Sequence, residues 1–178
     1  HLAWTEVPAT TKSFAIAVID TDVPSKPDDV NVEGREVRHD LPRVEFVHWL
    51  MANIPLECRE LGEGACGEGV VPRGKGNGKI KGHLVGPPGS VQGLNDYTAW
   101  FKGDAEMEGH YHGYDGPCPP WNDSIPHHYH YRVYALDIDR VALENGFSLE
   151  EFRDVIKGHV VDEAVITGTY SLNPRVRA

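Results

Sequence analysis

A chain of 178 residues is sized for one domain, 1–178, able to bury roughly 70% of its unfolded surface in a core of its own. Its 40% hydrophobic and 9% aromatic content excludes the disordered class. Its formal charge of −10 opposes nonspecific binding to nucleic acid or to an anionic bilayer.

Cys58, Cys66 and Cys118 are odd in number and fit no zinc spacing. They read as free thiols, which places the chain in a reducing, cytoplasmic compartment. No apolar run approaches the ~20 residues of a membrane span. The chain opens at His1 rather than methionine, so the true N-terminus is expected to lie ahead of this sequence.

SFAIAVID, 13–20, is a short apolar run with β-branched members and reads as a buried strand. Residues 21–43 are polar, carry Pro24, Pro27 and Pro42, and are expected to form an exposed loop. VEFVHWLMANI, 44–54, reads as a second strand, closed by Pro55. Residues 56–113 are a long glycine-rich loop region with GEGACGEG and GKGNGKIKG as its extremes, a length that is usually functional or mobile. Within it, VQGLNDYTAWF, 91–101, is expected to hold a short ordered piece.

IPHHYHYRVYALD, 125–137, packs three histidines and three tyrosines into eight positions. As a strand it splits into two faces. His127, Tyr129, Tyr131, Val133 and Ala135 share one, apolar beyond a polar mouth. His128, His130, Arg132, Tyr134 and Leu136 share the other, cationic near its start. Ser148 and Glu151 have capping-box spacing, Phe147 and Phe152 occupy the staple positions, and Leu149, Phe152, Val155 and Ile156 repeat at helical spacing. EAVITGTYSL, 163–172, reads as a last strand. Mostly short strands with one or two short C-terminal helices imply a mainly β, sandwich-like domain.

Three further features join the face that carries His127 and Tyr129. His48 falls on a face with Phe46, Leu50 and Ala52, where a lone histidine is commonly a core residue satisfied by one backbone bond. Two strands that each present one favour a shared pocket. Asp20 and Asp22 close the first strand before Pro24, either as a solvated Asx-type turn or as carboxylates that orient a histidine and raise its pKa. In YDGPCPP, 114–120, Gly116 admits a ligand close to the backbone while the prolines stiffen the wall.

In order along the chain, D-x-D-x-P-S, E-F-x-H-W, G-P-C-P-P, P-H-x-Y-x-Y-x-V-Y-A-L-D and T-G-T-Y resemble the phosphatidylethanolamine-binding protein family, also called the Raf-kinase-inhibitor-like family, in its prokaryotic branch. LAWTEVPATTKSFAI resembles that branch too, so the likeness spans nearly the whole chain. It implies a Greek-key β-sandwich with a small pocket for phosphate, phosphoryl headgroups or acetate-like ions. Carried over by motif, that pocket comprises Asp20, Asp22, Pro24, His48, Gly116, Pro117, His127 and Tyr129. His48, His127 and Tyr129 would donate to the anion, and the aspartates would orient histidine N–H groups or meet a ligand's ammonium or protonated oxygen.

Thr21 stands where the family usually has proline, and both 26–43 and 56–113 look expanded, so either segment could narrow the pocket. The segment that usually precedes LAWTEVP is absent, which would expose a sheet edge.

The leading expectation is therefore a non-enzymatic binding protein for a small anion, without a cofactor. The resemblance adds a kinase- or protease-regulating role with no identified protein partner, and a homodimer stays open. The alternative is a metal-dependent enzyme using the histidine-rich segments 110–112 and 127–130. The glutamate that should follow such an H-x-H pair is absent after both, since Gly116 and Pro117 follow one and Tyr134 and Ala135 the other. A hydrolase lacks a G-x-S-x-G elbow, and Cys118 between two prolines reads as a wall residue rather than a nucleophile.

Overall fold

The computed structural model describes residues 1–67, 71–76 and 85–176. The tail of GEGACGEG and most of GKGNGKIKG lie outside the described residues. In chain order the elements are β1 (Leu2–Ala3), β2 (Ser13–Pro24), β3 (Arg43–Pro55), β4 (Glu60–Leu61), β5 (Val91–Gln92), α1 (Tyr97–Trp100), β6 (His127–Leu136), α2 (Leu149–Ile156) and β7 (Val160–Tyr170). The fold is mainly β and antiparallel with two short helices, as the sequence implies. One of these, α1, lies mid-chain rather than near the C-terminus.

A five-stranded sheet in the order β5-β3-β2-β6-β7 carries the architecture, and β1 pairs β4 in a two-stranded ribbon. Alternation along β2 feeds two cores. Phe14, Ile16 and Val18 pack with Trp4, Trp49, Met51 and Leu61 under the ribbon. Ala15 and Ala17 face the opposite way, toward Leu50, Ala52, Phe147, Phe152 and Ile156 under α2. The main sheet is thus covered on both sides, by unequal layers.

The helix signal holds in detail. Glu151 N–H donates to Ser148 Oγ at 3.2 Å, Ser148 N–H donates back to the Glu151 carboxylate at 2.8 Å, and Phe147 stacks on Phe152 with centroids 6.0 Å apart. Residues 21–24 continue β2 instead of starting a loop. The following segment is not wholly exposed either, because Val37 is buried and bridges Asp123 in parallel. Asn122 fastens it by donating to the carbonyls of Asp29, Val32 and Arg35. At the far side of the sheet, β7 is exposed along its whole length, including Val160, Val161, Val165 and Ile166.

Candidate ligand-binding site

Register brings the site together. Asp20 pairs with Tyr129 of β6 on one side and Phe46 of β3 on the other. Across Val18 and Ile19, whose partners are Trp49 and Val47, β3 carries one extra residue, His48. This β-bulge breaks the alternation. The sequence expectation that His48 shares a face with Leu50 and Ala52 is therefore corrected: those two face the α2 core, and His48 turns to the Asp20–Tyr129 side. Its ring meets Tyr129 edge-on at 5.1 Å and Phe46 at 5.1 Å.

A cavity of about 160 Å³ opens there. Of the residues singled out in the sequence, Asp20, Pro24, His48 and His127 line it. Tyr129 lies against the rings of both histidines, and Gly116 lies behind His48. Asp22, Gly116, Pro117 and Tyr129 are not on its wall. Asp22 instead accepts from the backbone N–H of His128 at 2.8 Å and contacts that ring's Nδ1 at 2.9 Å.

Residues that sequence reasoning missed extend the lining. Val30 and Asn31 come from the 26–43 segment, Tyr97, Trp100 and Phe101 from the glycine-rich region, and Phe46 from β3. Both expanded segments thus do reach the pocket. The aromatic content of VQGLNDYTAWF was the available signal.

His127 is saturated. Nδ1 lies 2.6 Å from Asp20 Oδ2 and Nε2 3.1 Å from Asp123 Oδ2. Burial alone would lower its pKa, but the hydrogen bonds and charges of Asp123 and Asp20 outweigh that and raise it to about 9. The ring is an imidazolium at neutral pH with both N–H groups spent on carboxylates, so it contributes charge but no free donor. That corrects the role expected from sequence. Arg43 completes the row with a two-pronged bond to Asp123 at 2.6 and 3.1 Å. Although burial favours the neutral acid, His127 and Arg43 hold the Asp123 carboxyl below its ordinary range.

His48 is the opposite case. Burial lowers its pKa, the hydrogen bond to the Asp115 backbone only partly opposing, and the ring is neutral. Its Nδ1 donates to the Asp115 carbonyl, and its Nε2 is buried without a partner. Gly116 is required beside it: φ is +132°, and a Cβ there would stand 2.6 Å from His48 Nδ1. Asp115 is itself clamped, with Oδ1 2.9 Å from Lys75 Nζ and Oδ2 2.7 Å from Asn95 Nδ2. Lys75 is fully buried, a role that a lysine in GKGNGKIKG does not announce.

The Tyr129 hydroxyl is also buried without a hydrogen-bond partner, close enough to Asp20 that burial and that charge together keep the phenol protonated. Tyr97 is kept protonated mainly by burial, then by Cys118, Asp115 and Asp20. The site therefore offers two phenol donors, one lone-pair acceptor, one carboxylate and a locked imidazolium.

The histidine pairs weighed for metal do not assemble. His110 is exposed while His112 is buried with Nδ1 on the Lys75 carbonyl. His130 Nδ1 bonds Thr167, away from the Asp22 partner of His128. Among the described residues, no group of three or more His, Cys, Asp or Glu side chains is arranged to hold a metal ion. All three cysteines are free, and no described helix is long and apolar enough to cross a membrane.

Relatives place this geometry in context. A UPF0098 protein of Methanothermobacter thermautotrophicus is 32% identical over 169 residues, covering 95% of this chain and 80% of the relative. The UPF0098 protein YbhB of Escherichia coli is 29% identical, covering 96% of this chain and 80% of its own. Among solved structures, a phosphatidylethanolamine-binding protein homolog from Chlamydia trachomatis superposes with a TM-score of 0.60 at 25% identity, over 95% of this chain and 78% of that one. Escherichia coli YbcL, described as a member of the mammalian PEBP family, superposes at 0.59 with 26% identity, over 95% and 77%. The sequence profile named Phosphatidylethanolamine-binding protein matches residues 1–171, and the chain belongs to that family.

Proposed function

We propose that the chain is a non-enzymatic binding protein whose cavity takes a small phosphate-type anion, as free phosphate or as the phosphoryl headgroup of a phosphatidylethanolamine-like ligand. One observation carries this reading: His48 Nε2 is buried and unpartnered on the wall of one small cavity, and the hydroxyl of Tyr129, whose ring packs against His48 and His127, is buried and unpartnered too. An unsatisfied buried polar group destabilises by about 1–3 kcal/mol. Two together beside an imidazolium mark a site that a polar ligand completes. Regulation of a kinase or protease rests on the resemblance alone; the cavity rim, where Trp100 is exposed, is the surface it would use. The three free thiols support a reducing compartment, which we take to be the cytoplasm.

The experiment is a thermal-shift titration with inorganic phosphate on the intact chain and on Tyr129→Phe. Binding to the native state alone stabilises by about 2.7 kcal/mol at a hundredfold excess over Kd. The native protein should shift, and the variant, with its ring kept and its donor gone, should need about tenfold more phosphate, the ~1.4 kcal/mol expected of one hydrogen bond. Equal shifts in both, or none in either, would remove the cavity from this role.

A further inference from the structure

We propose that the cavity takes its anion with a proton attached, the ligand's own P–OH donating to His48 Nε2, so that a singly ionised phosphate monoester is selected over a fully ionised oxyanion. This rests on the phosphate reading of the site and narrows it: a diester headgroup has no P–OH to donate, so of the ligands proposed above only free phosphate and monoesters fit.

The tautomer decides it. The Asp115 carbonyl can only accept, so the proton on the neutral His48 ring belongs to Nδ1 and Nε2 is left with a lone pair. Swapping the two is blocked structurally. Gly116 presses on the Nδ1 edge so closely that even a Cβ would not fit, and Lys75 and Asn95 hold Asp115 in place. Nε2 has no partner within the protein.

Burial, against most of the charges around the ring, favours this neutral form. Asp20 faces it from β2, His127 and Tyr129 from β6, Tyr97 from α1, and Tyr114, Asp115 and Cys118 from the loop that closes the site. Asp20 and Asp115 favour a second imidazolium; burial and the cation already on His127 oppose it, and they prevail. Arg43 and Asp123 stand behind His127 and complete its ion pairs.

A fully ionised oxyanion would bring lone pairs against the Nε2 lone pair and the Asp20 carboxylate at once. One P–OH removes the first conflict by donating to Nε2. The Tyr129 and Tyr97 hydroxyls remain to donate to the other oxygens. No bond is made or broken; the ligand keeps its proton.

Calorimetric titration between pH 5 and 9 tests this with inorganic phosphate, methylphosphonate, sulfate and ethanolamine. Phosphate and methylphosphonate differ in their second pKa. Each affinity should be level below its own second pKa and fall about tenfold per pH unit above it, so the two break points should be displaced by the ligands' pKa difference. Sulfate, which carries no proton in this range, should bind at least tenfold more weakly than phosphate at pH 6. A common break point for both ligands would mean that a protein group takes up the proton, and would overturn the proposal. So would sulfate matching phosphate, or ethanolamine alone binding as tightly, since the donor would then be an ammonium. Binding with no discrimination leaves the phosphate site standing and removes only its proton selectivity. Failure of every anion at every pH removes both.

Discussion

Asp20 Oδ2 and His127 Nδ1 meet at 2.6 Å across two adjacent strands, 107 positions apart in the chain, and both residues are buried. With Asp123 on the other ring nitrogen and Arg43 beyond it, they form an alternating row of charges that starts at the cavity wall and runs behind His127. Such a row contributes to stability as well as to any ligand's surroundings, and the two contributions can be separated.

Stability should fall with rising pH. His127 titrates near 9 when folded and near 6.5 when unfolded, so its contribution is fully present below about 6.5 and is lost as pH rises through about 9. The loss is on the order of 3 kcal/mol. Urea unfolding at intervals from pH 6 to 9.5 should show the decline, and His127→Gln should flatten it. A native protein as stable at pH 9.5 as at 6.5 would mean that the ring is not an ion-paired imidazolium.

Removing the charge altogether should be worse than titrating it. His127→Ala leaves Asp20 buried without its ion-pair partner and Asp123 with Arg43 alone, and breaking a buried pair destabilises by about 3–5 kcal/mol. Asp20→Asn with His127→Gln should recover part of that loss, because no lone charge remains. Denaturant midpoints of the single and double variants decide it; strict additivity would show the two residues to be uncoupled.

How much of this was legible depended on whether one residue's pattern sufficed. The alternation of β6 placed His127, Tyr129, Tyr131, Val133 and Ala135 on one face, and that face is the one found. The capping box of α2 was readable because its parts lie three residues apart. His48 was assigned the wrong face-mates because a bulge is an insertion in register, set by pairing with β2, and a single strand's period cannot reveal it. Lys75, Asn95 and Asp123 were missed because each matters through a partner distant in sequence. Asp22 was carried over with the D-x-D-x-P-S motif, yet the chain turns it toward His128.

The Lys75 clamp should affect site and fold together. Lys75→Met leaves the Asp115 carboxylate with Asn95 as its remaining side-chain partner, at a loss of about 2–3 kcal/mol, below the fully buried case because Asp115 is partly exposed. Loosening Asp115 also frees the His48 ring, so phosphate affinity should drop about tenfold or more, worth ~1.4 kcal/mol. Adding Asp115→Asn should restore stability more than affinity. If affinity in Lys75→Met equals that of the native protein, the clamp supports the fold only.

The cavity carries its own chemical reporter. Cys118 lines it and is exposed, Cys58 is half-buried with its thiol on the Glu60 carbonyl, and Cys66 is buried with burial raising its pKa to about 11. Thiolate availability and access set alkylation rates, so Cys118 should react with iodoacetamide before the other two. Phosphate in the cavity should slow that reaction by about the factor 1 + [L]/Kd, roughly tenfold at a tenfold excess, while leaving the slower thiols unaffected. Cys118→Ser should abolish the fast phase and keep phosphate affinity within about twofold, because the thiol forms wall rather than a ligand contact. Peptide mapping of the alkylated protein identifies the site. A fast phase at Cys118 indifferent to phosphate would put the anion elsewhere, even if phosphate still raised the melting temperature.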